Sequence, residues 1–526
     1  MTDILIKNLP ILVVLCPLMM SLFLVLISNA FISWILTLLT TVLTFILSIL
    51  LFQEVQTHTY ISYALGNWAP PLGIEYVIDK VSIIPIIIIS SISLLSTIFS
   101  YKLMPFDVGQ SSISKVYSLW LLAIAGLIGL VTTGDAFNLF VFLEISSLAS
   151  VALVAMGAKK DKQALVAAYN YLVIGAVGAT LYVIGVGLLY SITGTLNMED
   201  LSNRVKEIDN NRALIAGFGF MITGIMVKAA VFPLHIWLPR AYSYAPSAVS
   251  VLLAATATKA SLYILARILF SIFNISDDLI IITLNYVILP LSILAMFAGT
   301  IMAIYEKDIK RLLAHSSIAQ IGYITLAFSI GSKASIAAGF IHMFNHALIK
   351  GGLFMAITSI GYYLQKRITI NNLSGLGRQM PITFFCFILC SLSLAGLPLT
   401  AGFISKLYLI KATISSEGIW IVFLILFSSA LSLIYLWKMI EALWLHENIK
   451  KVIILIVIQI IKEFEKVLGI EIPYKKEERR AGDVAAIWAN NNKAKNELDF
   501  TQKPTLNKDF WQNKELNPKV RKVKKW

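Results

Sequence analysis

Cysteine is scarce in this sequence. The 526 residues include only three cysteines, Cys16, Cys386 and Cys390, and each lies within an apolar run. Three thiols are too few for an iron–sulfur site with four cysteine ligands, and they do not suggest a disulfide framework. The sequence also contains no HExxH motif and no Gly-rich turn after a strand. We therefore predict no metal site and no cofactor in this chain, and we assign any redox chemistry to partner chains.

Charged residues are scarce as well. They make up 14% of the chain, whereas hydrophobic residues make up 58%, and the mean hydropathy is +0.80. A soluble domain has about 25% charged residues, so this composition predicts a membrane protein. A net charge of +14 can indicate nucleic-acid binding. In a membrane protein it follows from basic loops and tails, and we therefore predict the lipid bilayer and no nucleic acid as a partner.

Thirteen runs of the sequence are apolar and long enough to cross a bilayer, for which a helix needs about 20 residues. The first is not a cleaved signal, because Asp3 and the single Lys7 make a poor cationic region before it. We number these runs as spans 1 to 13. They cover residues 11–28, 31–52, 81–101, 115–134, 135–157, 165–191, 213–233, 246–272, 281–305, 312–330, 335–363, 382–410 and 419–445.

Lysine and arginine are distributed unevenly over the loops. The loops after odd-numbered spans hold twelve of them, namely Lys102, Lys115, Lys159, Lys160, Lys162, Arg240, Lys307, Lys310, Arg311, Lys366, Arg367 and Arg378. The loops after even-numbered spans hold six, namely Lys80, Arg204, Lys206, Arg212, Lys333 and Lys411. The positive-inside rule then places the richer set in the cytoplasm and the N-terminus outside a bacterial inner membrane.

The C-terminal part departs from the pattern of spans. Within Lys450–Ile470 the uninterrupted apolar stretch is too short to cross a bilayer, and polar residues recur at helical spacing. This pattern predicts an amphipathic helix at the membrane surface. Residues 471–526 hold fourteen Lys or Arg against eight Asp or Glu. Two interpretations fit this tail: a flexible cytoplasmic segment, or a docking segment for a partner subunit or anionic lipid.

Seven of the ionisable side chains inside the predicted spans are candidates for function. A charged group at the centre of a membrane helix costs about 2.5–3.5 kcal/mol on insertion scales. One such lysine can be structural, but a bundle without function could avoid all seven by using leucine. They are Glu144, Lys228, Lys259, His342, His346, Lys350 and Lys406. Their number favours a path for protons or cations, and the spacing of His342, His346 and Lys350 places these three on one helix face.

Two prolines stand near lysines within the spans. Pro233 follows Lys228 by five residues, and Pro398 precedes Lys406 by eight. Broken helices at related places in two halves of a transporter indicate the ion path, because freed backbone groups can face water there. The order of lysine and proline differs between the two spans, so these residues alone argue only weakly for two related half-channels.

Several segments resemble one known family. The stretches are GDAFNLFVFLEISS, VKAAVFPLHIWLPRAYSYAPSAVSVLLAATATKASLY, EKDIKRLLAHSSIAQIGYI, HMFNHALIKGGLF and LAGLPLTAGFISK. They resemble the antiporter-like membrane subunits shared by Mrp-type Na⁺/H⁺ antiporters, respiratory complex I and membrane-bound hydrogenases. Within that family, FNLFVFLE and the loop GNWAPPLGIE look most like the D-type subunit of Mrp complexes. The likeness runs from about residue 60 to residue 410.

The resemblance implies an all-α polytopic membrane protein. It implies about 13–14 transmembrane helices, two inverted five-helix repeats and breaks in helices 7 and 12, although a convincing fourteenth span is missing. We expect N-terminal helices with an external loop in 1–110, repeats in 111–272 and 273–445, and the amphipathic segment and tail in 446–526. Matched by position, the resemblance makes Glu144, Lys228, Lys259 and Lys406 relay residues, and it leaves open which of His342, His346 and Lys350 is used.

The function that these features predict is proton movement through a line of buried titratable groups, in a subunit of a cation/proton antiporter. Its expected partners are other membrane subunits of an antiporter or a complex I-like assembly, with protons and monovalent cations as substrates. A proton-pumping subunit of a quinone reductase or hydrogenase is the first alternative. A membrane scaffold that does not transport is an alternative of another class.

Overall fold

The computed structural model describes residues 6–208, 211–273, 278–416 and 419–444. The predicted amphipathic segment at Lys450–Ile470 and the basic tail lie outside these residues. The described residues belong to one compact unit of the chain, and this unit contains all seven buried ionisable residues.

Every predicted span coincides with a helix or with a broken series of helices. Spans 1 to 6 form α1 to α6, and a short helix, α7, precedes span 7. In chain order these are Leu9–Val25, Ala30–His58, Ile83–Val108, Ile113–Thr132, Ala136–Ala155, Gln163–Thr193 and Met198–Val205. Single-turn 3₁₀ segments occur at Leu65–Asn67, Gln110–Ser112 and Met156–Lys159. Asparagine or aspartate side chains cap several of these helices, as Asp135 does for α5.

The second half continues with α8 to α19. These are Arg212–Lys228, Trp237–Tyr244, Ser247–Ala255, Ala257–Arg267, Asp278–Ile282, Leu289–Tyr305, Ile309–Ser329, Lys333–Leu364, Leu376–Gln379, Pro381–Ala395, Ala401–Ser416 and Ile419–Trp444. Two π-helical segments, Ile268–Ile272 and Thr283–Ile288, follow α11 and α12, and a 3₁₀ turn occupies Ile370–Asn372.

Within the described residues, ten helical stretches are long and apolar enough to cross a membrane, if Ser247–Ile272 and Asp278–Tyr305 are each counted as one stretch. The three other predicted spans begin with shorter helices. Helix α1 has 17 residues, α8 has 17 and α17 has 15. Spans 7 and 12 are short because each is interrupted, and a second piece, α9 or α18, continues the crossing. The predicted breaks at Pro233 and Pro398 therefore lie where the helices stop.

The predicted external loop contains a small antiparallel hairpin, which the apolar pattern did not reveal. Its strands are β1, Tyr60–Ala64, and β2, Glu75–Asp79, and they pair with Tyr60 opposite Asp79. Asn8 accepts a 2.9 Å hydrogen bond from the Tyr63 hydroxyl, so the hairpin lies at the same end of the bundle as the N-terminus. We call this the hairpin end.

The opposite end gathers the loops that follow odd-numbered spans, and we call it the basic end. Lys160 pairs with the buried Asp107 at 2.9 Å. Arg367 pairs with Asp308 at 2.6 Å and with Asp161 at 3.5 Å. These contacts join loops that the lysine and arginine count had grouped together. Helix α19 ends there as well, because the Gly375 backbone N–H donates to the carbonyl of Ala442, near the last described residue.

Close helix packing fixes the helix that carries Lys228. Helices α6 and α8 approach so closely that a Cβ atom added at Gly224 would lie 2.4 Å from the carbonyl oxygen of Gly178. Small residues allow such contacts between membrane helices, where packing and not water drives association. This close packing fixes the position of α8 and therefore of its last residue, Lys228.

Candidate functional site: a line of buried ionisable groups

Lys228 is the last residue of α8, and the chain leaves helical geometry directly after it. Its side chain is buried, and Nζ lies 3.7 Å from Oε1 of Glu144 on α5. The same ammonium donates a 2.8 Å hydrogen bond to the hydroxyl of Ser147, three residues after Glu144 on that helix. A carboxylate and a hydroxyl therefore hold the charge of Lys228 away from lipid.

The Glu144 carboxylate lies at the margin of the bundle. Its side chain is 27% exposed, although Oε1 itself is buried and receives no hydrogen bond from the described residues. The nearby ammonium is thus the group that compensates this oxygen. A charge-compensated but incompletely hydrogen-bonded carboxylate has free lone pairs, which can accept a proton or a water molecule.

A small polar cavity continues from Lys228 towards span 8. Its volume of about 20 Å³ suits one water molecule, which needs about 10–15 Å³. Its polar lining consists of Ser146, Ser147, Ser150, Tyr171, Lys228 and Ser261. A water held by several hydroxyls can pass a proton between groups that do not touch.

Span 8 is itself interrupted beside the second lysine. Helix α10 ends at Ala255, α11 begins at Ala257, and Thr256 between them departs from helical geometry with φ −121°. The interruption makes carbonyl groups of the last turn accessible to side chains. Lys259, which has no exposed surface, donates to the Ala254 carbonyl at 2.5 Å.

The three predicted residues of α15 line one face of that helix, as their spacing implies. Lys350 has no exposed surface and donates to the Leu313 carbonyl at 2.8 Å and to the Ser316 hydroxyl at 2.5 Å. His346 lies one turn away, close enough to Lys259 and Lys350 for their charges to act on its ring. Neither ring nitrogen of His346 has a hydrogen-bond partner among the described residues. His346 thus connects the lysine of span 8 with the lysine of span 11.

The ring of His342 is stacked with the ring of His346, and it also contacts Ser405, the residue before Lys406. The two ring centroids lie 6.4 Å apart. His342 Nε2 lies 2.9 Å from Oε1 of Gln320, and Nδ1 lies 2.9 Å from the Ser405 hydroxyl. An amide oxygen only accepts, so with this amide orientation Nε2 carries a hydrogen. In the neutral ring Nδ1 then accepts from the Ser405 hydroxyl, whose other acceptor is the Gly402 carbonyl at 3.0 Å. This tautomer leaves Nδ1 as the atom that can take up a proton.

Lys406 follows Ser405 directly and ends the line. Its ammonium donates to the carbonyls of Leu394 at 3.2 Å and Ala395 at 2.9 Å, and to the Ser429 hydroxyl at 2.6 Å. It also lies 4.8 Å from the ring centre of Tyr323. The two carbonyls belong to the last turn of α17, so Lys406 reaches back from α18 across the break around Pro398.

The structure brings Glu144 and Lys228 together, and it brings Lys259, His346, Lys350, His342 and Lys406 together. The cavity beside Lys228 is also lined by Ala257 and Ser261, which flank Lys259 in span 8. The hydroxyl and amide partners were not predicted: Ser147, Ser316, Gln320, Ser405 and Ser429. In the sequence, the only feature that could have indicated any of them is the position of Ser147 and Ser405, which lie within one helical turn of a buried charge. The three cysteines are free, and no described cluster of three His, Cys, Asp or Glu side chains is arranged to hold a metal ion.

Comparison with known proteins agrees with these features. The family model for the transmembrane part of NADH:quinone oxidoreductase and Mrp antiporter subunits matches residues 133–432. This chain belongs to that family. The matched region contains Glu144, both broken spans and every lysine and histidine of the line, so the resemblance predicted from the five sequence stretches is confirmed.

Members of the family from different complexes are similar to this chain. The NADH-quinone oxidoreductase N subunit of Desulforudis audaxviator is 39% identical over 386 residues, which cover 73% of this chain and 75% of the relative. The Na(+)/H(+) antiporter D subunit of Alkalihalophilus pseudofirmus is 31% identical over 404 residues, covering 76% and 79%. In the solved membrane-bound sulfane sulfur reductase, an archaeal respiratory membrane complex, one chain matches with a TM-score of 0.77 and 32% identity, covering 88% of this chain and 95% of that one.

Proposed function

We propose that this family member is a proton-translocating subunit of a multi-subunit antiporter that exchanges Na⁺ or another monovalent cation for protons. The observation that carries the proposal is the set of buried titratable groups that lie at and between the two broken spans. The name of the Alkalihalophilus relative supports the choice of substrate ions. The Desulforudis relative supports a second candidate, a proton-pumping subunit of an NADH:quinone oxidoreductase.

In the proposed mechanism each residue of the line takes up a proton on one side and releases it on the other. Lys228 holds a proton near Glu144 and passes it through the cavity water towards Lys259. His346, Lys350 and His342 continue the transfer, and Lys406 is the last acceptor. Because each arriving charge changes the proton affinity of its neighbours, the groups titrate as a coupled set. Coupling to a second ion, or to movement of a partner subunit, then drives exchange or pumping.

The test uses the intact complex in everted membrane vesicles. After an acidic interior is established, addition of Na⁺ should raise the interior pH, and choline at equal ionic strength should not. Vesicles whose complex carries Lys228→Ala provide the matched control. Proton uptake that responds to a quinone-reducing donor and ignores Na⁺, Li⁺ and K⁺ would favour the second candidate. If the complex with Lys228→Ala exchanged cations at the wild-type rate, only the alternative of a scaffold that does not transport would remain.

We also propose that the basic end faces the cytoplasm of a bacterium, with the tail after residue 470 on the same side. The twelve-to-six count of lysine and arginine in the loops supports this orientation. A cytoplasm-dependent reporter should be active when fused after Trp444 and when fused after Trp526. Activity of a periplasm-dependent reporter only in the second fusion would establish a fourteenth span and overturn the location of the tail.

A further inference from the structure

A tryptophan of the second half of span 7 bonds back to the first half. Trp237 is the first residue of α9, and it is 2% exposed. Its indole N–H donates a 3.0 Å hydrogen bond to the carbonyl oxygen of Val227, the residue before Lys228. The bond therefore joins the two halves of the broken span directly beside the buried lysine, and the proposed relay gives Trp237 no role.

The Val227 carbonyl belongs to the peptide unit that leads into Lys228. A peptide unit is planar, so the direction of this carbonyl and the position of the Lys228 Cα atom are fixed together. From that Cα atom the side chain reaches Ser147 at 2.8 Å and Glu144 at 3.7 Å. The second distance is close to the limit of about 4 Å for an ion pair. A small rotation of the peptide unit would therefore separate the two charges.

The end of α8 benefits from an additional bond because its cap is strained. The chain leaves the helix through Ala230, which has a left-handed conformation with φ 56°. Glycine is the usual residue there, because a Cβ atom makes this conformation unfavourable. The backbone N–H of Val231 donates to the Met226 carbonyl at 3.0 Å. The N–H of Ala230 donates to the Val227 carbonyl at 3.2 Å, and the indole of Trp237 donates to the same oxygen at the shorter distance of 3.0 Å.

The Trp237 ring also packs against α6, the helix that borders the Lys228 ammonium group. The rings of Trp237 and Tyr171 are nearly parallel, with an interplanar angle of 4° and centroids 4.3 Å apart. Tyr171 lines the cavity that Lys228 also lines. One turn further along α6, a Cβ atom added at Gly175 would lie 3.4 Å from Nζ of Lys228. Trp237 thus contacts both the backbone before Lys228 and the helix beside its ammonium group.

The second break uses another side chain for the same connection. There the ammonium group of Lys406, on α18, itself donates to two carbonyls in the last turn of α17. In span 7 an indole N–H from the second half donates to a carbonyl in the last turn of the first half. An indole is a donor only. It makes the connection across the break without a titratable group, and the Lys228 ammonium is left for Glu144 and Ser147.

We propose that Trp237 is a positioning residue, whose indole N–H fixes the peptide unit between Val227 and Lys228 and thereby keeps the Lys228 ammonium group within reach of Glu144. This inference rests on the proposed function, because it assigns the residue that holds the first lysine of the relay in place. Trp237 carries no proton itself.

The test compares two tryptophans in the intact complex. Trp237→Phe removes the indole N–H and keeps an aromatic ring against Tyr171. Trp34→Phe is the matched control, because the Trp34 indole also donates to a backbone carbonyl at 3.0 Å, that of Thr97, and α2 and α3 carry no relay residue.

The first measurement is hydrogen–deuterium exchange, followed by mass spectrometry on peptides that contain Ala230 and Val231. Their amides should exchange about fivefold faster in Trp237→Phe, because one hydrogen bond of ordinary strength no longer opposes local opening. In Trp34→Phe they should exchange at the wild-type rate. Trp237→Leu also lacks the N–H, and it takes the place of Trp237→Phe should that variant fail to assemble.

The second measurement is cation-dependent proton flux at equal protein content. Trp237→Phe should lower flux about fivefold, and Trp34→Phe less than about twofold. When Glu144→Gln is already present, adding Trp237→Phe should lower flux less than about twofold, because the ion pair that Trp237 maintains is absent. A general loss of stability would instead repeat the fivefold decrease.

Unchanged amide exchange in Trp237→Phe overturns the inference, and so does a fivefold decrease of flux that recurs in the Glu144→Gln background. Amide exchange does not depend on transport. Faster amide exchange in Trp237→Phe, together with a wild-type complex that shows no cation-dependent flux, would therefore contradict the proposed function and support the role of Trp237 in fixing the end of α8.

Discussion

The two broken spans hold their lysines in different surroundings. Lys228 has a carboxylate 3.7 Å away and one hydroxyl partner. Lys406 has two backbone carbonyls and one hydroxyl, and among the described residues no carboxylate lies within ion-pair distance of it. One site is therefore compensated by a full negative charge, and the other only by dipoles.

A common feature underlies this difference. Lys228 is the last residue of α8, and the ammonium group of Lys406 reaches back to the last carbonyls of α17, so each lysine is associated with the C-terminal end of the first half of a broken span. Such an end carries about half a negative charge. The sequence order of lysine and proline is reversed between the spans, but each lysine is still associated with this end. At Lys406 the terminal carbonyls themselves accept from the ammonium group, whereas at Lys228 the partners are Glu144 and Ser147 of another helix.

The largest effect is expected at Lys228. Lys228→Ala should reduce cation-dependent proton flux to that of vesicles without the protein, while the chain still inserts, because alanine has no insertion cost. Lys228→Arg should rescue poorly, since arginine keeps the charge opposite Glu144 but does not release its proton. Flux is measured with the variant protein quantified in the same vesicles. If Lys228→Arg supported wild-type flux, Lys228 would be only a structural partner of Glu144 and would not carry the proton.

An intermediate effect is expected when the surroundings of Lys228 are made to resemble those of Lys406. Glu144→Gln leaves Lys228 with neutral partners only, as Lys406 has. We expect flux to fall about fivefold to tenfold, because a partly exposed ion pair contributes on the order of 1 kcal/mol. Glu144→Asp should retain more flux than Glu144→Gln in a parallel measurement. If Glu144→Gln transports normally, the two sites are equivalent and the comparison between them fails.

The smallest effect is expected at the second break. Pro398→Ala should lower flux roughly twofold to threefold and leave assembly unchanged, because proline is one of several residues that keep the helix interrupted. Gly396 and Leu399 also hold left-handed conformations there, with φ of 83° and 70°. Pro381→Ala is the matched control, since Pro381 begins α17, where proline is tolerated. Equal flux in the two variants would show that the break does not depend on Pro398.

The sequence predicted the spans and the buried charges well, because a bilayer imposes long apolar runs and makes each ionisable residue within them conspicuous. It also predicted that spans 7 and 12 are broken. The interruption at Thr256 was not predictable, since alanines flank it and neither proline nor glycine marks it. The partners Ser316, Gln320 and Ser429 were equally hidden, because their roles depend on distances between helices and most spans contain serine.

The unpaired ring of His346 has a consequence for how this protein evolves. A buried polar atom without a partner lowers stability by about 1–3 kcal/mol, and this ring contains two nitrogens that no described residue pairs with. An apolar side chain of similar size would strengthen the bundle at this position and at the same time remove a group that can bind a proton. Selection for a more durable protein and selection for ion movement therefore oppose each other at this histidine, and its presence records which of the two has prevailed.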